Sequence, residues 1–297
     1  MKRKRNQITA SGIVACTCLL AACTAQIEIE TVDAVEHLVI YGTVTNELKR
    51  QRIDITRSAP YFSDTAPGGV SGAEVRVTAS TGEVYLFSEE LQSPGVYLSD
   101  AAFAGFSGES YQLDVAVDWN NDGTPDCFTA SERMPLPLLG ERIDLKWSRM
   151  KDYVDVLAWC ELPREQENYI CLKVRINNRM VTDSLDQYTF FDESYINSKT
   201  LEGVEIYSLS QKDENLTLAA GDELTLIALS LTKEFYDFSL NGKKEVRPSP
   251  PIMVGPPANM PTNLMRTAGA VVPLAGYFSA CATDSVSVSV TEEFINK

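Results

Sequence analysis

Tyr111-Gln112-Leu113-Asp114-Val115-Ala116-Val117-Asp118-Trp119 decides the fold class, because apolar residues hold every odd position of the stretch. A period of two belongs to an extended strand with one face in a core and the other in water. Working outward toward the N-terminus, Val96 and Leu98, Val84 and Leu86, and Val75 and Val77 each mark a short strand, separated by Ser93-Pro94-Gly95 and Ser80-Thr81-Gly82. Ala59 to Gly72 is a turn-rich loop with two prolines and three glycines. Before it, Leu38, Ile40 and Val44 alternate with Val39, Tyr41 and Thr43, and Ile53 and Ile55 follow a polar connection. Short strands spaced by about ten residues, without a helical period, predict an antiparallel β-sandwich over residues 35–134.

Working outward in the other direction, Pro135 and Pro137 bracket a linker, and a second β-rich domain is expected over residues 140–297. Residues 153–162 and 169–176 predict a hairpin turning at 163–168, residues 224–231 a further strand, and Val286, Val288 and Val290, alternating with serines, a last one. One short helix interrupts this pattern. Thr232 serves as its N-cap, Leu231, Phe235 and Phe238 fall on one core-facing stripe, and Asn241-Gly242 supplies a stop. Residues 247–261 hold six prolines and predict an extended, exposed loop. The expected class is mainly all-β.

The first residues have a different character. Lys2, Arg3, Lys4 and Arg5 precede a segment, 13–22, that is apolar or small apart from Thr17, which is the order of an export signal too short to span a bilayer. Leu20-Ala21-Ala22-Cys23 closes it and resembles the lipobox of bacterial lipoproteins, in which the Cys thiol is diacylated before cleavage and its amino group is acylated afterwards. On that resemblance, residues 1–22 are a lipoprotein signal peptide, Cys23 is the lipidated first residue of the mature chain, and 23–34 is a tether. An ordinary cleaved signal with an incidental cysteine is the competing reading. Each buried acyl methylene contributes about 0.8 kcal/mol, so more than one chain gives stable attachment.

Loss of the four basic residues in 1–22 moves the formal charge from −15 to −19. Such a chain repels phosphate backbones and anionic lipid, which disfavours nucleic acid and a polybasic membrane contact. Four cysteines then remain unmodified: Cys127, Cys160, Cys171 and Cys281. Val154, Val156, Ala158, Cys160 and Leu162 share one strand face, and Ile170, Leu172, Val174 and Ile176 share another. If both faces meet one core, Cys171 points away with Tyr169 and Lys173, so Cys160 and Cys171 cannot bond. Cys160 is expected to be a buried free thiol, and a Cys127 to Cys281 disulfide stays open.

Candidate chemistry is sparse. Asp118, Asn120, Asp122 and Asp126 stand at positions 1, 3, 5 and 9 of a loop with Gly123 at position 6, the spacing of a calcium loop, although Thr129 replaces the closing Glu. Asn121-Asp122-Gly123 between two strands is equally ordinary hairpin chemistry, so no metal site is assigned. His37 is the single histidine, so a Ser-His-Asp or Cys-His arrangement would rest on it alone. Nucleotide and nucleophile-elbow motifs are absent, no cofactor is expected, and no catalytic residue is assigned. Residues 183–203 mix acids with aromatics, namely Asp186, Tyr188, Phe190, Phe191, Asp192, Glu193 and Tyr195, which could rim a binding site or fill a core beneath a polar loop.

Two resemblances add to this. Gly72-Ala73-Glu74-Val75-Arg76-Val77, Gly95-Val96-Tyr97 and Gly108 to Val117 resemble the ordered motifs of transthyretin-like and carboxypeptidase-regulatory sandwiches. Over nearly the whole mature chain, 38–42, Ser58 to Phe62, Glu167-Asn168-Tyr169, Phe191-Asp192-Glu193, Pro261-Thr262-Asn263 and Gly276-Tyr277-Phe278 are similar to a Bacteroidetes lipoprotein family catalogued as domain of unknown function 4249. That family is typically found with TonB-dependent outer-membrane receptors. The resemblance implies a non-enzymatic accessory or binding lipoprotein of nutrient uptake, anchored on either face of the outer membrane, with a TonB-dependent receptor as partner. A fimbrial or adhesin subunit, matured by cleavage after Arg50, Arg52 or Arg57, is the alternative, and a carboxylate-based glycan hydrolase comes third.

Overall fold

The computed structural model describes residues 35–59, 67–195, 198–246 and 260–296. The signal segment, Cys23 and most of the proline-rich stretch, 247–259, lie outside the described residues. The alternating runs of the first half become β1 (Leu38–Thr45), β2 (Arg52–Arg57), β3 (Glu74–Ala79), β4 (Val84–Glu89), β5 (Val96–Ser99), β6 (Ser110–Val117) and β7 (Asp126–Arg133). Their inward residues, among them Ile40, Ile55, Val77, Leu113, Val115 and Phe128, form one core. On β4 and β5 the buried parity is opposite to the aliphatic one: Phe87 and Tyr97 are buried, whereas Val84 and Leu86 are 55% and 58% exposed. Register explains this, since Phe87 pairs with Val75 and Tyr97 with Ile53, and cross-strand partners share a face. Tyr97 also closes the 70–73 turn, donating from its hydroxyl to Val70 O at 2.8 Å and accepting from Ala73 N–H at 2.9 Å.

The next strands are β8 (Leu139–Trp147), β9 (Tyr153–Glu161), β10 (Tyr169–Ile176), β11 (Arg179–Met180), β12 (Thr189–Asp192), β13 (Thr200–Ser210) and β14 (Glu223–Leu231). The expected hairpin of 153–162 with 169–176 does not form. β9 pairs with β8 and β13 in a three-stranded sheet, while β10 pairs with β11, β12 and β14 in the large one. The two strands instead face one another across a second core, which holds Val154, Val156, Ala158 and Cys160 from one side and Ile170, Leu172, Val174 and Ile176 from the other. Apolar faces that point at each other satisfy burial equally well from two layers as from one ladder.

Helix α1 (Lys233–Val246) starts as expected, with Thr232 Oγ1 accepting from Phe235 N–H at 3.3 Å. It does not stop at Asn241-Gly242. Gly242 is instead a packing residue, since a Cβ there would sit 3.0 Å from Leu185 and 3.2 Å from Met260. After β15 (Met265–Ala268), the long strand β16 (Leu274–Ser289) joins the two halves, and a short helix α2 (Glu292–Ile295) follows. Phe278, Ala280 and Ala282 of β16 enter the first core, and Val286, Val288 and Val290 pack on the second. Residues from beyond the 135–137 linker therefore complete the core of 35–134.

One large sheet, in the order β11-β10-β14-β16-β1-β2-β5-β4-β3-β6-β7-β15, results, with β12 added on β10. β1 and β16 make its parallel pair among the described residues, a pairing that needs a long crossover and here spans nearly the whole domain. Gly276 permits it: its φ is +97°, and a Cβ would fall 2.1 Å from Ile40 O. Both cores lie under one face of this sheet, and α1 lies on the other, over Tyr277, Cys281 and Cys171.

Candidate functional site

The face of the sheet that carries α1 is formed by the residues whose parity is opposite to the cores. From β10 these are Cys171, Lys173 and Arg175; from β14, Ile227 and Leu229; from β16, Cys281 and Thr283; from β1, Tyr41 and Thr43; from β2, Arg52 and Asp54. Together they floor a groove of about 550 Å³. One wall is apolar: Tyr188, Phe190 and Phe235 stand over the Cys171 end, with Leu185 and Ser239 beside them. The volume falls within the range of small-molecule sites.

Charge is distributed unevenly around this groove. Lys49, Arg50, Arg52, Lys173 and Arg175 line it against Glu47 and Asp54, a local excess of cations in a chain of formal charge −15. Three of the cations have carboxylate partners: Lys49 with Glu47 at 2.5 Å, Arg50 with Glu90 at 3.2 Å, and Arg52 with Asp54 at 2.7 Å. Lys173 lies with its Nζ 4.3 Å from the Tyr188 ring centre. Behind the same wall, Lys243 donates to Tyr188 O and lies 5.8 Å from the Phe190 ring centre.

The two thiols and the tyrosine of the floor are held neutral. Burial pushes the Cys281 thiol up to about 12, and it pushes Cys171 up to about 12 despite the neighbouring Lys173 and Lys243. Both are poor nucleophiles at neutral pH. Tyr41 keeps 42% of its surface open to the groove, yet the surrounding walls strip it of bulk water and drive its hydroxyl well above the ordinary tyrosine value. It remains a proton donor throughout the physiological range.

Cys23 lies outside the described residues. In the Asp118 to Asp126 loop the carboxylates bind their own backbone: Asp118 accepts from Asp122 N–H at 3.0 Å and Gly123 N–H at 2.9 Å, and Asp122 accepts from Thr124 N–H at 2.8 Å. Asp126 is buried and turned away, accepting from Trp119 N–H at 3.2 Å and Ala270 N–H at 2.5 Å. Among the described residues, no three His, Cys, Asp or Glu side chains are grouped to hold a metal ion. His37 has Nδ1 at 2.8 Å from Val35 O and donates its backbone N–H to Ser58 Oγ. Cys127, Cys160, Cys171 and Cys281 are free thiols, so Cys127 and Cys281 are not bridged, and Cys160 faces the second core while Cys171 lies on the opposite face of the large sheet under α1, as their parity predicts.

The mixed segment 183–203 divides. Tyr188 and Phe190 wall the groove, Phe191 packs on the second core, and Glu193 closes a turn by accepting from Asn168 N–H and Nδ2–H at 2.8 and 2.5 Å and from Lys199. Lys173, Arg175, Arg52 and Tyr41 were not singled out from sequence as binding residues. Their signal was present in the water-facing parity of β1 and β10, but nothing in the sequence places those two strands, about 130 residues apart, on one sheet.

A family model described as Domain of unknown function (DUF4249) matches residues 24–287. No curated protein matches the chain. Among solved structures, the crystal structure of a DUF4785 family protein from Legionella pneumophila is similar at 10% identity with a TM-score of 0.25; the alignment covers 64% of this chain and 51% of that one, so the chain spans about half the length of that relative.

Proposed function

Because the chain belongs to the family described as Domain of unknown function (DUF4249), we propose that it is a lipid-anchored, non-enzymatic binding component of the cell envelope, working beside a TonB-dependent outer-membrane receptor in nutrient capture. The carrying observation is Leu20-Ala21-Ala22-Cys23 behind a basic start and an apolar run, with the family match beginning at the next residue. A groove of ligand size whose thiols are kept protonated fits binding better than nucleophilic chemistry. The formal charge of −19 after loss of 1–22 leaves the acyl chains as the attachment to an anionic membrane. Cells fed an alkynyl palmitate should label the wild-type protein and leave Cys23→Ala unlabelled. Pull-down of the native protein from solubilised outer membrane should recover a TonB-dependent receptor. An unlabelled wild type removes the anchor, and a pull-down without receptor removes the partnership.

A further inference from the structure

We infer that the groove on the outer face of the large sheet binds a small amphipathic anion: an aromatic or apolar body seated against Tyr188, Phe190 and Phe235, carrying a carboxylate or phosphate head held by Lys173 and Arg175. The inference rests on the reading of the chain as a binding component and goes beyond it by naming the ligand class and its contacts.

Three observations combine. First, none of the ion pairs among the described residues uses Lys173 or Arg175, although carboxylates outnumber cations in the chain by 41 to 26 and Lys49, Arg50 and Arg52 on the same groove are each paired. A half-buried cation without a counter-charge is costly, and an incoming anion offsets that cost in a setting of reduced dielectric. Second, these two residues stand two apart on β10, so both side chains leave the same face of the sheet, next to Cys171 at the apolar end. Third, the two cations adjoin the apolar lining: Lys173 is the cross-strand partner of Ile227 and Cys171 that of Leu229, and Lys173 Nζ lies 4.3 Å from the Tyr188 ring centre, so a charged head and an apolar body on one ligand would meet both at once. A purely inorganic anion would leave the wall unused, and a neutral apolar ligand would leave the cations unpaired.

The test uses the full acylated protein in phosphatidylcholine nanodiscs, with empty nanodiscs as reference, titrated calorimetrically with 2-naphthoate, 2-naphthyl phosphate and the uncharged 2-naphthamide. At least one anion should bind, with the amide about ten-fold weaker or worse. Lys173→Gln and Arg175→Gln should each weaken the anion about ten-fold, the scale of a lost charged hydrogen bond. Lys173→Arg should keep the affinity, which separates loss of charge from loss of fold. Binding of the amide as tight as the anion, unchanged affinity in both Gln variants, or no heat from either anion overturns the inference. Anion binding without receptor recovery removes the partnership and leaves the groove; receptor recovery without anion binding does the reverse.

Discussion

Asn168 and Glu193 show how two short sequence motifs become one structural device. Asn168 is buried, donates to Pro163 O at 2.9 Å and to Glu193, and thereby closes the 163–168 connection between the two sheets. Asn168→Ala leaves those acceptors unsatisfied and should cost about 1–3 kcal/mol in chemical denaturation. Desolvation raises the Glu193 carboxyl, but hydrogen bonds from Lys199 and Asn168 outweigh it, so its net shift is downward. A depressed folded value contributes stability that is present above the unfolded value and lost as pH falls through the folded one. Glu193→Gln should therefore be less stable than wild type at pH 7, with the gap closing in acid. Glu132 has the opposite sign. Burial raises its carboxyl and Glu234 adds to the rise, against hydrogen bonds from Thr232, Tyr277 and Asn263. Its ionised form is disfavoured in the folded state, so Glu132→Gln should gain stability relative to wild type as pH rises from 4 to 8. A melting-temperature gap that does not change with pH would rule this out.

At the scale of elements, β16 is the piece on which the rest depends. Its even residues serve both cores in turn, and its parallel pairing with β1 brings residues 38–45 beside 274–281. Asn263 reinforces the joint by pairing its side chain with the backbone of Phe278, donating to O at 2.8 Å and accepting from N–H at 3.1 Å. Gly276→Ala combines a left-handed φ with a backbone collision and should cost at least about 2 kcal/mol, read as a fall in the urea midpoint. Helix α1 tests a smaller effect. Removing its cap with Thr232→Ala should cost about 1 kcal/mol, and a larger loss would mean that Thr232 acts through Glu132 as well.

For the whole molecule, two cores under one sheet leave the opposite face free to hold both α1 and the groove. Burial on that scale also sorts the cysteines. Cys160, Cys171 and Cys281 are buried, and Cys127 is partly exposed. In the native protein, maleimide mass labelling should modify Cys127 alone among these four, and all four after denaturation. Prompt labelling of Cys171 or Cys281 would mean that α1 lifts from the sheet.

Local pattern was enough for much of this. Period-two alternation determined the strands of 38–133 and the parity of Cys160 against Cys171, because each depends on which face of a short segment avoids water, and the Thr232 cap determined the start of α1, because it satisfies a backbone N–H locally. The 153–176 hairpin was misread for the same reason: parity says which side is buried and is silent on whether the partner lies in the same sheet or in the layer opposite. Gly242 was misread as a stop because its role is a contact with Leu185 and Met260, distant in sequence. The large sheet, the shared strand β16 and the groove were settled by tertiary structure, since each is made by backbone pairing between segments far apart in the chain. Lys173, Arg175, Tyr41 and Arg52 are ordinary surface residues of separate strands until β10, β14, β16, β1 and β2 lie side by side and place them around one cavity.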